Sequence, residues 1–471
     1  MRNYRKKRIT HWNAVFSKSG LPKSARHYHK LLEQYYSFQI PTGMRVLELG
    51  CGNGSLLASV KPEFGVGVDF SRQALIQAKQ LHPQLSFIEA DVCELPLSGS
   101  FDVIILSDLV NDLWDVQTVL ELITRCSHSR TRVILNLHSH LWQVLLAWAE
   151  RLGLKRPTLA QNWFTLDDLH TLLKLTNCDL IKHETEILLP AHIPVLSWFA
   201  NKYLARIWPF SALCLTNMLV IRPLKAKLEK RSQQPSVSII IPARNEEGNI
   251  GRLFSELPKL GRAMELVFIE GHSKDKTYEA IEEAIQQHPE QKAQLLKQTG
   301  VGKANAVWQG FAAAKNDVLI IFDSDLSVSP PDLLRFYEAV SNNKGEFING
   351  SRLVYPMEDR AMQFINLIGN RLFGKIFSWL ISQPVKDTLC GTKVIWREDF
   401  ALLRQVWPEN SRDPFGDFDL LIGSAKLNLK IIDVPIRYRE RTYGSTNINR
   451  WSHGLMLIRM LSWAASSLKF R

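Results

Sequence analysis

Along the first half of the chain, short apolar runs alternate with longer stretches whose apolar residues recur every three or four positions. The runs Arg45–Leu49, Gly65–Asp69, Ser86–Glu89, Phe101–Leu106 and Arg132–Asn136 read as strands, being short, rich in branched residues and bounded by turn formers. Between them lie helical patterns, as in 21–40, where Tyr28, Leu31, Leu32, Tyr35 and Tyr36 share one face. Strands separated by helices predict a parallel sheet wound by right-handed crossovers. Leu213–Ile221 reads as a core strand closing this unit.

The alternation stops at 222–235, where prolines bracket lysines, arginines and Ser232-Gln233-Gln234. It restarts with Ser236–Ile241, Glu265–Ile269, Gln294–Lys297 and Val318–Phe322. The expected class is therefore α/β with two domains: 1–223, a linker 224–235, and 236–471 ending in an amphipathic segment. A chain of 471 residues has room for both.

Composition changes this picture little. Charged residues at 22% and hydrophobic ones at 45% describe a folded chain. The net charge of +12 points to an acidic partner, such as phosphorylated substrates or anionic lipid head groups, or simply to solubility. Six cysteines lie far apart without a Cys-x-x-Cys pair, so neither a zinc site nor a disulfide framework is expected and a reducing cytosol is the default. The basic start Met1–Arg8 is not followed by an apolar stretch, so no secretory leader is expected. No segment offers the ~18 uncharged apolar residues of a membrane helix; Ile207–Ile221 is shorter and carries Pro209 and Asn217.

Chemistry concentrates at two strand ends. The first strand runs into Gly50, Gly52 and Gly54, a turn that lets backbone approach a ligand. Glu48 stands two residues before the first glycine, and Asp69 ends the next strand, where a carboxylate can accept both ribose hydroxyls. Asp91 follows the third strand and Asp108 the fourth. This series resembles the class I S-adenosylmethionine-dependent methyltransferases, with their Rossmann-like sheet, across roughly 20–223. The resemblance implies that Glu48, Gly50, Gly52 and Gly54 hold the methionine part of S-adenosylmethionine. Asp69 would hold the ribose, Asp91 would flank the adenine, and Asp108 would complete the set. Spacing of Gly-x-Gly-x-Gly rather than Gly-x-Gly-x-x-Gly weakens an NAD reading. Asp108, Asn111, Asp112 and His138 are candidates to face a methyl acceptor, with caps or surface roles as the competing reading.

The second opening places Pro242, Arg244, Asn245 and Glu246 after a buried strand, Glu270-Gly271 after the next, and Gly302-Lys303 before a helix. Asp323 and Asp325 then end a strand two residues apart, where both carboxylates can reach one hard cation, Mg²⁺ or Mn²⁺. With Gly350–Arg352, Asp387–Thr392, Phe415–Asp419 and Arg437–Ser445, this order resembles the family 2 glycosyltransferases of the GT-A fold, closest to dolichol- or polyprenyl-phosphate sugar transferases. The resemblance implies a nucleotide-sugar donor held by Pro242, Arg244, Asn245, Glu246, Glu270, Lys303 and Asp323. It implies a divalent cation on Asp323 and Asp325, and inversion at the anomeric carbon. Arg352 or Arg441 would offset phosphate charge. Asp417 is the first choice for a base and Asp419 the second, with a pair of helix caps as the competing reading. Two departures stand out: Glu270-Gly271 replaces a pair of aspartates, and Thr446-Asn447 stand where lysine is common.

Basic and aromatic residues interleave in Phe364–Leu380 (Arg371, Phe373, Lys375, Phe377, Trp379) and Trp451–Phe470 (Arg459, Trp463, Lys469). Docking on a membrane surface and core packing both explain them; a lipid-phosphate acceptor favours docking. The expectation is a cytoplasmic bifunctional enzyme, peripheral at the inner face of the plasma membrane, with a polyprenyl-phosphate or other glycan or lipid acceptor and no nucleic-acid partner. Its rivals are an N-terminal domain that binds S-adenosylmethionine only as scaffold or sensor, and a soluble or protein sugar acceptor.

Overall fold

In a computed structural model, the structure describes residues 2–17, 23–95, 97, 99–152, 158–224, 234–355, 364–407, 413, 416–439, 443 and 450–470. It divides into two compact units, Met1–Lys230 and Arg231–Lys469. Most of the expected linker lies outside the described residues.

The N-terminal unit is a seven-stranded sheet of β1 (Arg45–Leu49), β2 (Phe64–Asp69), β3 (Ser86–Glu89), β4 (Phe101–Leu106), β5 (Ser127–His138), β6 (Cys178–Glu186) and β7 (Thr216–Pro223), ordered β3-β2-β1-β4-β5-β7-β6. The first five are parallel. Their nearly continuous apolar runs fit a sheet covered on both faces; Ile104, Ile105 and Leu106 are fully buried. Beyond these five strands the sheet is mixed: β7 runs antiparallel to β5 and β6. Sequence reading passed over β6 because it alternates Asp179, Lys182, His183, Glu184 and Glu186 with few apolar residues. Those side chains are satisfied by ion pairs and hydrogen bonds, Arg222 to Asp179 at 2.7 Å and Lys182 to Gln39 at 2.7 Å among them.

Residues 187–215 separate two strands that pair in register from Cys178↔Pro223 to Glu186↔Thr216. A hairpin closes with a handful of residues, so this excursion is an added structure, with a helix at Leu196–Lys202.

The C-terminal unit has β8 (Val237–Ala243), β9 (Met264–Glu270), β10 (Ala293–Lys297), β11 (Val318–Ile321), β12 (Phe347–Ser351), β13 (Lys393–Trp396) and β14 (Ile431–Pro435), ordered β10-β9-β8-β11-β13-β12-β14. Six strands run in one direction, and β13 is antiparallel to both its neighbours. Phe254 and Phe268 stack at 5.4 Å in a core that reaches Phe322 and Phe336.

Candidate active sites

In the N-terminal unit β1 and β4 are neighbours while the chain continues outward on both sides, so a crevice opens at their carboxyl ends. Gly50, Gly52 and Gly54 all have positive φ (72°, 52° and 75°), a conformation that costs other residues strain. Asp69 fixes this turn: its carboxylate accepts from Gly52 N at 2.9 Å and from Ser71 N at 2.7 Å. Glu48 is buried, and its Oε2 has no hydrogen-bond partner among the described residues. Burial, reinforced by Asp69, pushes its carboxyl well above the usual range. Glu48 is thus a buried polar group beside a glycine turn, with one carboxyl oxygen unsatisfied among the described residues.

Asp91 caps a short helical turn through Cys93 N and pairs with Arg5 Nε at 3.0 Å. Asp108 sits in the left-handed region (φ 52°) and accepts from Tyr28 Oη at 2.8 Å and Asn136 Nδ2 at 2.5 Å. Tyr28 Oη also lies 3.4 Å from His138 Nε2, so β4 and β5 bring Asp108 and His138 together. Asn111 and Asp112 have internal roles instead: Asn111 bonds Asn162 O and His138 N, and Asp112 pairs with Arg8 and Trp12.

Sequence reading missed the helix Arg2–Ser17. Its Phe16 ring lies 3.1 Å from where a Cβ on Gly52 would stand, and Asn13 Oδ1 accepts from Ser71 Oγ at 2.7 Å. The helix therefore lies along the glycine turn. Ile9, Trp12 and Phe16, spaced three and four apart, carried the signal.

In the C-terminal unit the polar loops after β8, β9 and β11 meet. Asn245, at φ 57°, receives Lys274 N at 2.7 Å; Glu246 N donates to Thr277 Oγ1, and Asn249 Nδ2 donates to Glu246 Oε2 at 2.6 Å. Ser324 Oγ donates to Pro242 O, tying β11 to β8. Arg244 is exposed beside this loop. Glu270 accepts from Ser273 N at 2.6 Å. A Cβ on Gly271 would lie 2.9 Å from Gln298 Oε1, so Gln298 fills the space next to Glu270.

Asp323 and Asp325 stand at the end of β11. Asp323 Oδ1 pairs with Lys303 Nζ at 2.5 Å; Asp325 Oδ1 accepts from Ser327 N and Oγ. Burial works against the Lys303 ammonium, but Asp323 and Asp417 outweigh it and raise its pKa. Asp417 is buried at the first turn of the helix Asp417–Lys426, with Lys393 Nζ 3.7 Å from its Oδ1. Burial lifts its carboxyl to about 6 against the pull of Lys393 and Lys303. Asp419 instead accepts from the Trp407 indole at 3.1 Å. Arg352 is committed to Asp387 through Nε at 2.7 Å and Nη2 at 2.9 Å. Arg441 lies outside the described residues, as do Thr446-Asn447.

Asp323 and Asp325 supply two hard carboxylates at one strand end, the donor chemistry that suits a divalent cation. A cation that finishes its coordination with diphosphate oxygens and water needs only one or two carboxylates from the protein. Gly391 leaves room for the Asp323–Lys303 pair, since any Cβ there would collide with both. Among the described residues no cluster of three or more His, Cys, Asp or Glu offers a complete protein cage.

The expected membrane helices are partly used internally. Phe377 packs on Phe418, Trp463 on Trp407, and Lys469 bonds Ser382. Arg371, Lys375 and Trp379 remain exposed. No helix of the described residues is long and apolar enough to cross a membrane.

Residues 40–177 match the methyltransferase domain family, and residues 238–402 match glycosyl transferase family 2. The chain thus joins a methyltransferase domain to a family 2 glycosyltransferase domain. It is similar to a dolichol-phosphate mannosyltransferase of Pyrococcus furiosus, 28% identical over 221 residues that cover 45% of this chain and 59% of that protein. A dolichyl-phosphate hexose transferase of Haloferax volcanii is 28% identical over 46% of this chain and 89% of its own length. Among solved structures, the magnesium protoporphyrin IX methyltransferase of Synechocystis with bound SAH aligns with a TM-score of 0.31 at 14% identity, over 45% of this chain and 92% of its own.

Proposed function

We infer that the chain is a bifunctional transferase, moving a methyl group from S-adenosylmethionine to an acceptor of its own and a sugar from a nucleotide-sugar to a polyprenyl-phosphate. The observation that carries the sugar-transfer reading is the convergence of Asp323, Asp325, Lys303 and Asp417 at one strand end. The similarity to two dolichyl-phosphate sugar transferases supports the acceptor. Asp323 and Asp325 would hold a divalent cation, which supplies positive charge opposite the departing diphosphate. Lys303 places a second positive charge beside Asp323. Asp417, its proton affinity raised, is suited to take a proton from a hydroxyl acceptor; a phosphate acceptor is already a nucleophile and needs no base. Arg352, neutralised by Asp387, positions the loop rather than the diphosphate.

Transfer from UDP- and GDP-sugars to a short polyprenyl-phosphate, with Mn²⁺, Mg²⁺ or chelator, tests this. Asp325→Asn should keep the fold and lose most transfer. Equal transfer by the wild type in chelator would make the two aspartates structural.

In the N-terminal unit, the buried Glu48, whose Oε2 has no partner among the described residues, and the Asp69-clamped turn support S-adenosylmethionine binding.

A further inference from the structure

The N-terminal unit shows to solvent what soluble domains bury. In the excursion 187–215, Val195 is 77% exposed, Trp198 56% and Trp208 81%; nearby in the chain fold, the helix Gln143–Arg151 exposes Val144, Leu145 and Trp148. The two segments meet, because Trp142 Nε1 donates to Leu213 O at 2.8 Å. Exposed apolar side chains gathered in two segments that touch mark an interaction site.

This surface is not loose chain. Asn201 clamps the excursion by accepting from Leu189 N at 2.8 Å and donating to Leu189 O at 2.9 Å. Arg206 and Glu186 form a buried ion pair beneath it, and Ala200, Ala205 and Cys214 pack inward. At its tip Val195 holds φ 64°, a conformation that β-branched residues avoid. The fold thus spends strain to present an apolar side chain to solvent.

We propose that this surface docks the N-terminal unit on an anionic lipid bilayer. Three features favour lipid over a second copy or a protein groove. Residues 187–215 contain no Asp or Glu. Cations lie against the exposed indoles, Lys202 Nζ 5.5 Å from Trp198 and Arg151 5.9 Å from Trp148, the arrangement in which rings sit at head-group depth and cations reach phosphates. The helices, of nine and seven residues, are too short to span, so the unit lies on the surface. The inference uses no residue of the sugar-transfer site and goes beyond that activity.

The test is co-sedimentation of the full chain with phosphatidylcholine vesicles, with and without phosphatidylglycerol. The wild type should bind the phosphatidylglycerol vesicles, less so in high salt. The variant Trp198→Glu with Trp208→Glu should lose about tenfold or more of that partition, while its unfolding temperature and its sugar transfer to detergent-dispersed acceptor stay unchanged. Should that variant misfold, Lys202→Ser, which removes one rim charge, should lower binding to anionic vesicles about fivefold. Wild type left in solution overturns the proposal. Equal binding by the variants overturns it by placing the docking elsewhere. A wild-type dimer that Trp198→Glu dissociates overturns it in favour of self-association.

Discussion

Replacing Arg352 with Met should unfold the C-terminal unit early rather than only slow its chemistry. Arg352 makes two charge-assisted hydrogen bonds to Asp387, at 2.7 and 2.9 Å, and its backbone N gives the same carboxylate a third at 3.0 Å. Asp387 is fully buried. Removing one partner leaves an uncompensated buried carboxylate, a loss of about 3–5 kcal/mol. For a unit of this size each kcal/mol moves the melting temperature by about 2–4 °C, so the shift should be roughly 6–20 °C. Calorimetry of the full chain would show it in one transition and leave the other in place. Arg352→Met combined with Asp387→Leu should recover much of the loss, since neither charge is then stranded. The pH dependence has a defined sign. Burial raises the Asp387 carboxyl, but Arg352 outweighs it and holds it below the ordinary value. This stabilisation is therefore present above about pH 4, the unfolded carboxylate value, and is lost as pH falls through the folded one. An Arg352→Met protein that melts like the wild type yet transfers no sugar would refute this reasoning and return Arg352 to the diphosphate.

Asp69→Ala should weaken S-adenosylmethionine binding about tenfold to a hundredfold in calorimetry, through lost charge-assisted hydrogen bonds of ~1.5–3 kcal/mol. Undiminished affinity would remove Asp69 from the site, and NAD binding would revive a dehydrogenase reading. Asp417, lifted to about 6 mainly by burial, binds more protons folded than unfolded between about pH 4 and that value. Its contribution to stability therefore declines as pH rises through that window, and Asp417→Asn should flatten that part of the urea-denaturation profile. If it also serves as base, transfer to a hydroxyl acceptor should climb through about pH 6 in the wild type and not in the variant. Matching profiles would leave Asp417 a helix-terminal residue.

The parallel strands were legible because covered strands are written as unbroken apolar runs; β1, β3 and β4 match their expected bounds residue for residue. Among the late strands only β7 was expected, at Leu213–Ile221 where the structure has Thr216–Pro223. β6 is polar, and β12 and β14 are short runs whose partners lie far along the chain. Carboxylates at strand ends were likewise readable as types in order, while their partners were not. Nothing in the spacing says that Lys303 meets Asp323, that Arg352 is tied up by Asp387, or that Gln298 closes on Gly271. Those pairings depend on loops whose ends are fixed only by the sheet. The aromatic–basic helices stayed open between two readings because composition cannot tell an indole packed on Trp407 from one facing water.

Leu215 N donates to Ile187 O at 2.8 Å, directly beyond the Glu186↔Thr216 pair, so the ribbon is already zipped where the excursion leaves it. The excursion is in that sense a removable cassette. Excising 188–214 in favour of an Asn-Gly turn keeps every rung of the β6–β7 ladder, provided Glu186, which loses Arg206, is replaced by an apolar residue. The shortened chain would be a tool for crystallisation. It would also be a scaffold onto which other excursions could be spliced without rewriting the sheet.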